Sequence, residues 1–273
     1  MKCFVWNTRG DIIGDSVKEA ALFEYLSKEF NFIETNGTSI VSKIHQNNPY
    51  IKNYHVISEQ SYLTSKKNKL AKVYFLFLSI KKVLPLLRNC DVCVLTQNMW
   101  YPYFFIAKLF GKKVLWKERL PYKRYIPAMY FDAGEVFMLP NCIKRIVVNI
   151  ESKDHSRCWP VENYLDVLNA IRSDYQIVLL GTSKKYNESL VNNLNKQVIN
   201  LVGMTTIRET AMIIRDADLY LGNDSGLSHI AAAVGTDVLN IMLDSTVDIL
   251  SSNKTIKLRQ PSVANVVQTI NEW

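Results

Sequence analysis

A chain of 273 residues exceeds the usual single-domain size and favours two domains of ordinary size over one with insertions. With 48% hydrophobic and 21% charged residues it can bury sizeable cores, which excludes an intrinsically disordered chain. The formal net charge of +8 lies wholly in the first 140 residues, which hold 20 basic and 11 acidic side chains against 13 and 14 in the remainder.

Short apolar runs alternate with amphipathic stretches from end to end, the pattern of strand-helix-strand units around parallel sheets. KCFVWN reads as the first strand, TRGDIIG as a loop and residues 16–30 as a helix. Ser16 and Glu19 have the spacing of a capping box, and Val17, Ala21, Leu22, Tyr25, Leu26 and Phe30 line one helical face. Leu70, Val73, Phe77, Ile80, Leu84 and Leu87 repeat at helical spacing, which predicts a helix over residues 67–88 with its lysines outward. Within it residues 73–80, the longest apolar run, fall short of the roughly 20 residues that span a membrane. The opening MKCFVWNTRGD lacks the apolar core of a signal peptide, so a cytoplasmic protein is expected. DVCVLTQ and KKVLWKE read as strands flanking a short aromatic helix, YPYFFIAKLF, and RLPYKRYIPAMY as a proline-broken loop.

This half is also where the charge collects. Between Glu59 and Asp91 stand Lys66, Lys67, Lys69, Lys72, Lys81, Lys82 and Arg88 with no acidic residue. A second group, Lys108, Lys112, Lys113, Lys117, Arg119, Lys123 and Arg124, encloses only Glu118. Such a field suits an anionic partner, whether a membrane surface, an acidic glycolipid or a nucleic acid, and a merely solvated basic face fits the pattern equally. No nucleic-acid recognition motif accompanies it, so no nucleic-acid partner is expected. The five cysteines lack framework spacing and read as buried free thiols; Cys90 and Cys93 form a C-x-x-C with no second pair, for which a zinc or redox site is the minor reading.

The units restart near Asn141, giving domains 1–140 and 141–273. RIVVNI, YQIVLLG, VINLVG, DLYLGN and DVLNIML read as strands. Helices open near Pro160 and Tyr186, at Thr206 with Glu209 in capping-box register, at Gly226, and over the last dozen residues. The strand-to-helix turn Asn223-Asp224-Ser225-Gly226 carries the most chemical information. Its amides and the positive helix end suit a pyrophosphate, Gly226 allows close approach, and His229 follows within the first turn. Asp224 and Ser225 serving only as cap and turn residues is the plainer reading of the same letters.

NDSGLSHIAAAVGT resembles the D-[TS]-G-x-x-H-x-A-A-x-x-G-T segment of the heptosyltransferases, glycosyltransferase family nine. VVNIESKDHSRCWPVENYLDVLNAI resembles that family's strand, polar loop, basic-x-Trp-Pro and helix, with Arg157 at the basic position, and INLVGMTTIRETAMIIRDADLYLGND resembles the segment before its Asp-Thr/Ser-Gly. The likeness is continuous over residues 146–242; in the N-terminal half it rests on Gly10-Asp11 after the first strand. It implies an α/β chain of two Rossmann-like domains facing a cleft, the GT-B type, with acceptor bound by the first domain and nucleotide-sugar donor by the second. It further implies an inverting transferase that uses no metal and no cofactor beyond its donor, working in lipopolysaccharide, O-antigen or capsule synthesis at the inner face of the bacterial inner membrane. By the resemblance Asp224 meets donor sugar hydroxyls, Gly10 lies in the donor-binding set, and Ser225, Gly226 and His229 meet the diphosphate. Arg157 would meet the leaving phosphate and Asp11 act as catalytic base, which is the acid-base and electrostatic division such an inversion needs. Leu243-Asp244-Ser245-Thr246 replaces the family's frequent Phe-Gly-Pro-Thr, Asp15-Ser16-Val17 replaces Thr-x-Pro, and the N-terminal domain is short for the family. Asp15 is thus a second carboxylate beside Asp11, read here as part of the helix cap. A polysaccharide pyruvyltransferase or nucleotide-sugar epimerase on the same architecture is the alternative.

Overall fold

The computed structural model describes residues 1–7, 12–58, 69–96, 101–243, 249, 251 and 253–273. The chain divides into two compact units, Met1–Phe131 and Asp132–Trp273.

In the first unit β1 (Lys2–Trp6), β2 (Phe32–Thr38), β3 (Asn53–Ser58), β4 (Val92–Leu95) and β5 (Lys113–Trp116) form a sheet in the order β3-β2-β1-β4-β5. Every pairing is parallel. The strands alternate with α1 (Ile13–Ser27), α2 (Ser39–Ile44), α3 (Lys69–Asn89) and α4 (Tyr101–Leu109). Apolar clusters cover both faces: Leu22, Phe23, Leu26 and Tyr122 pack with Val5 and Val94 on one side, and Val83, Leu87 and Ala107 with Phe4, Trp6 and Leu95 on the other. Burial on both faces explains why these strands read as short apolar runs rather than alternating ones. One turn of 3-10 helix, Lys117–Arg119, ends the KKVLWKE stretch read as a strand and runs into RLPYKRYIPAMY, expected as a loop, which contains a second, Pro121–Arg124.

The start of α1 departs from the sequence expectation. Ile12 is its N-cap and offers no side-chain bond, Ser16 lies inside the helix with its amide on the Ile12 carbonyl oxygen (2.9 Å), and Asp15 sits in the first turn rather than in a cap. The Ser16-Glu19 box therefore does not form. Ser16 is buried, and Glu19 is drawn into long-range partners described below.

The second unit is built on β6 (Lys144–Asn149), β7 (Tyr175–Leu179), β8 (Val198–Asn200), β9 (Leu219–Asn223), β10 (Asp237–Met242) and β11 (Thr255–Arg259), all parallel, in the order β11-β10-β9-β6-β7-β8. The helices α5 (Val161–Ala170), α6 (Lys184–Asn193), α7 (Ile207–Arg215), α8 (Gly226–Val234) and α9 (Val263–Asn271) complete it. Residues just before β6 belong here because Arg215 and Arg145 donate to the carbonyl oxygens of Glu135 (3.2 Å) and Pro140 (2.8 Å), and the Arg208 guanidinium pairs with the Glu135 carboxylate. The Thr206-Glu209 capping box is present at α7: the Thr206 amide donates to Glu209 (2.7 Å) and the Glu209 amide to Thr206 Oγ1 (3.3 Å). Gly235 ends α8 at φ 85°, the left-handed C-terminal position that glycine fills without steric cost.

Each strand order reverses once. In the second sheet the reversal falls between β6 and β9, and in the first between β1 and β4. Ligands of open α/β sheets bind outside the carboxyl ends of strands at such a switch, because flanking loops diverge there and leave a crevice.

Candidate functional site

In the second unit the switch joins the loop after β6 to the turn after β9. Asn223, fully buried at the end of β9, knits them. Its Oδ1 accepts from the Trp159 amide (2.9 Å) and the Tyr164 hydroxyl (2.9 Å), and its Nδ2 donates to the Ile150 carbonyl oxygen (2.7 Å). An amide so satisfied holds its turn rigidly, since losing any partner would strand a buried polar group at a cost of about 1–3 kcal/mol. Gly222 lets the two strands meet, because a Cβ there would come within 2.8 Å of the Asn149 carbonyl oxygen.

Asp224 follows, 3% exposed, with its amide on the Ile241 carbonyl oxygen (3.2 Å) and its own carbonyl oxygen accepting from Ser152 Oγ (3.3 Å). Its carboxylate meets Nη1 of Arg157 at 3.1 Å. Arg157 stands on a one-turn 3-10 segment, His155–Arg157, capped by Asp154, whose carboxyl is held below the usual carboxylate range by the hydroxyl and amide of Ser156. The structure thus joins two residues whose expected tasks are separate: buried Asp224 orients a half-exposed guanidinium, whose Nε lies 3.6 Å from the Asp154 carboxylate.

The helices that follow β6, β7, β8 and β9 open at this edge, and their N-termini differ. At α6, Glu151 accepts from the amides of Thr182 (2.9 Å) and Ser183 (2.9 Å), the Thr182 hydroxyl (2.8 Å) and Asn187 Nδ2 (2.5 Å). The chain's own carboxylate therefore fills that anion site, and Gly181 leaves it room, since a Cβ there would collide with Glu151. α7 is closed by its capping box, and α5 opens on Pro160, which has no N–H to offer, with Glu162 in its first turn. α8 also carries a capping box, Ser225 with Ser228, in which Ser228 Oγ takes the Ser225 amide (3.3 Å), but Ser225, Gly226 and Leu227 stay half exposed. α8 begins with glycine and has no acidic residue in its first turn, and with that turn half exposed it suits an outside anion. His229, in the same first turn, is 7% exposed.

The first unit presents its own polar set beside β1, and no local sequence motif announces it. Asn7 exchanges hydrogen bonds with Asn36, its amide donating to Oδ1 and its carbonyl oxygen accepting from Nδ2, both at 3.1 Å. Asn7 Nδ2 also donates to Glu19 (3.1 Å), and Glu19 pairs with Lys117 at 2.9 Å, the two side chains 5% and 12% exposed. Burial opposes the charge on Lys117, but Glu19 beside it outweighs burial and holds the ammonium above the usual lysine range. Gly10 and Asp11, expected to follow β1 in this region, lie outside the described residues, as do Lys66, Lys67 and the Asp244-Ser245-Thr246 departure.

The C-x-x-C cysteines are free and buried, and burial pushes the Cys90 thiol up to about 11 and Cys93 higher, which makes both poor nucleophiles. Among the described residues no three His, Cys, Asp or Glu side chains are placed to hold a metal ion, and no helix is long and apolar enough to cross a membrane.

Residues 136–248 match the profile of glycosyltransferase family 9 (heptosyltransferase). Lipopolysaccharide heptosyltransferase 3 of Escherichia coli is 28% identical over 102 residues, 35% of this chain and 30% of that protein, so the matched stretch spans less than a third of the relative's length. By structure, Escherichia coli ADP-heptose lipopolysaccharide heptosyltransferase II superposes over 100% of this chain and 98% of its own with a TM-score of 0.74 at 18% identity. Escherichia coli heptosyltransferase WaaC with ADP-2-deoxy-2-fluoro heptose gives 0.69 at 16% over 100% and 99%. At such identities the likeness establishes the fold, the GT-B type. Residues 136–248 thus resemble glycosyltransferase family 9 (heptosyltransferase), and the fold of the chain is that of the heptosyltransferases.

Proposed function

We propose that the protein is an inverting glycosyltransferase that moves a heptose or hexose-like sugar from a nucleotide diphosphate to a lipopolysaccharide, O-antigen or capsule acceptor. The observation that carries this reading is the half-exposed N-terminus of α8 at the sheet's switch point, beside a guanidinium oriented by a buried carboxylate. Amides of the first turn and Arg157 would receive the donor diphosphate and take up the charge that grows on it as the glycosidic bond breaks. Asp224 positions Arg157 and, as the family resemblance implies, would meet a donor sugar hydroxyl, with His229 and Ser225 on the same turn. Asp11 would accept the proton of the acceptor hydroxyl, the role an inverting displacement requires of a carboxylate. The donor bound to WaaC, a fluorinated ADP-heptose, supports an ADP-linked sugar as the first donor to test. The basic N-terminal unit would meet an anionic acceptor at the inner face of the inner membrane, and no metal takes part in the transfer.

Thermal shift against a panel of nucleotide sugars tests the donor, because a ligand raises stability by RT ln(1 + [L]/Kd). One of them should stabilise the protein and do so undiminished in EDTA. Gly226→Val should abolish that shift while leaving the unliganded melting temperature close to native. An undiminished shift in folded Gly226→Val removes the diphosphate from α8. Isomer formation from donor without acceptor would identify an epimerase instead.

A further inference from the structure

The N-terminal unit has an outer surface that none of this chemistry uses. α3 and α4 lie side by side on one face of its sheet, sharing the cluster of Val83, Leu87 and Ala107 with Phe4 and Leu95. Their carboxyl ends converge: the Arg88 guanidinium lies 5.7 Å from the Phe110 ring centre, and Lys112 Nζ donates to the Arg88 carbonyl oxygen (3.1 Å).

On the side turned from the sheet, Phe105, Lys108 and Leu109 stand at i, i+3 and i+4 of α4 and so share a stripe, with Phe105 64% and Leu109 84% exposed. On α3, Phe77, Lys81 and Arg88 follow one another at one and three turns, with Phe77 64% exposed and both cations exposed. Lys113 adds an exposed cation where β5 begins. The acidic group at this end, Asp91, is occupied by the Lys2 backbone amide at 2.7 Å.

A merely solvated helix face mixes both signs of charge and turns its large apolar side chains inward. Here one sign prevails and three large apolar side chains project between the cations. A protein-protein interface core is depleted in lysine, whereas a lysine-rich helix surface that also exposes aromatic and leucine side chains suits the headgroup region of an anionic bilayer. We infer that the outer face of α3 and α4 docks the protein on an anionic lipid bilayer, with Phe77, Phe105 and Leu109 entering the headgroup layer and Lys81, Arg88, Lys108 and Lys113 facing lipid phosphates. The inference rests on the reading that the acceptor is met at a membrane surface, and it names the face that meets it.

Sedimentation of the full chain with vesicles of phosphatidylglycerol and phosphatidylcholine, against pure phosphatidylcholine, tests it. Binding is expected to the anionic vesicles only and to weaken with salt. Each cation at such a surface strengthens partitioning about fivefold, so the pair Lys81→Glu, Lys108→Glu should weaken it by about 25-fold or more. The pair Phe105→Ser, Leu109→Ser should weaken it with its salt dependence kept. Both variants should melt as the native chain does and keep its nucleotide-sugar shift, so loss of docking and loss of the donor reading are separate results. Native protein that ignores anionic vesicles at low ionic strength overturns the inference, as do variants that bind them unchanged. So does sedimentation velocity showing that these substitutions dissociate a self-associated native protein, which would give the face to a second copy.

Discussion

Both units gather polar side chains at the carboxyl ends of strands beside a topological switch, but they build the gathering differently. In the second unit Asn223, Asp224, Ser225 and Gly226 are consecutive, their partner segment lies in one loop, and the set is half open to solvent. In the first, Asn7, Glu19, Asn36 and Lys117 come from four separated elements, Glu19 and Lys117 being 98 residues apart, and all but Lys117 are buried. A strand-turn-helix site states its chemistry in adjacent letters. One assembled by strand order does not.

The largest effect that sharpens this contrast is expected from breaking the buried pair. Lys117→Met leaves Glu19 charged, buried and without its cation, a situation that typically costs about 3–5 kcal/mol. Urea unfolding should show that loss, and adding Glu19→Leu should recover part of it, because two apolar groups replace a pair with large desolvation cost while the Asn7 side-chain amide loses its Glu19 acceptor. A loss below about 1 kcal/mol for Lys117→Met would mean that solvent reaches the pair freely and that the first unit is no more closed than the second.

Next in size is catalysis. Asp11→Asn retains shape but accepts no proton, so turnover should fall by about 100-fold or more with donor binding unchanged. Asp15 lies in the first turn of α1, where its charge favours the helix dipole; Asp15→Asn should therefore cost about 0.5 kcal/mol of stability and leave turnover near native. Steady-state rates of the two variants, compared side by side, assign the base: loss with Asp15→Asn alone moves the role to that carboxylate.

These cases show where the sequence was legible. Residues 146–242 were readable as strands, helices and caps because apolar runs, Thr206-Glu209 and Gly235 act locally, and the structure has each in place. The same local rule misread Ser16-Glu19, since Glu19 found a stronger partner in Lys117, which only tertiary packing brings near. β2 and β3 are not legible in the sequence because FIETNGT and NYHVIS break their apolar content with polar residues, Asn36 among them, that serve the switch rather than the core. The Arg157-Asp224 pair was foreseen as two separate roles, because spacing gives no distance between segments 67 residues apart.

The first unit should also reveal itself by pH. His45 is packed edge-on to Phe23 and stacked on Tyr54 (ring centres 5.1 and 6.0 Å), and burial lowers its pKa to about 3. An unfolded histidine titrates near 6.5, so between those values the unfolded chain binds a proton that the native one refuses. Stability contributed by neutral His45 is therefore full above about pH 6.5 and falls on acidification toward pH 3, by up to about 1.4 kcal/mol per pH unit. His45→Leu should flatten that part of the stability profile. An unchanged slope between pH 6.5 and 5 would show that the ring reaches a proton in the folded state.

The smallest expected effect tests whether local sequence rules carry energy where they were obeyed. Thr206 takes the Glu209 amide and Glu209 the Thr206 amide, so Thr206→Ala leaves one first-turn N–H without its partner and should cost about 1 kcal/mol. Glu209 lies at the surface, where water can replace its bond, and Glu209→Gln keeps the reach and the acceptor, so it should cost only a few tenths of a kcal/mol. Glu19→Gln is the matched probe in the first unit. There the substitution removes the charge that compensates partly buried Lys117, whose ammonium is only partly open to water, so its cost should exceed that of Glu209→Gln by at least about 1 kcal/mol. Equal losses for the two glutamates, measured by denaturant titration under one buffer, would mean that Glu19 acts as a surface cap after all and that the two units differ in sequence spacing but not in how they hold their polar residues.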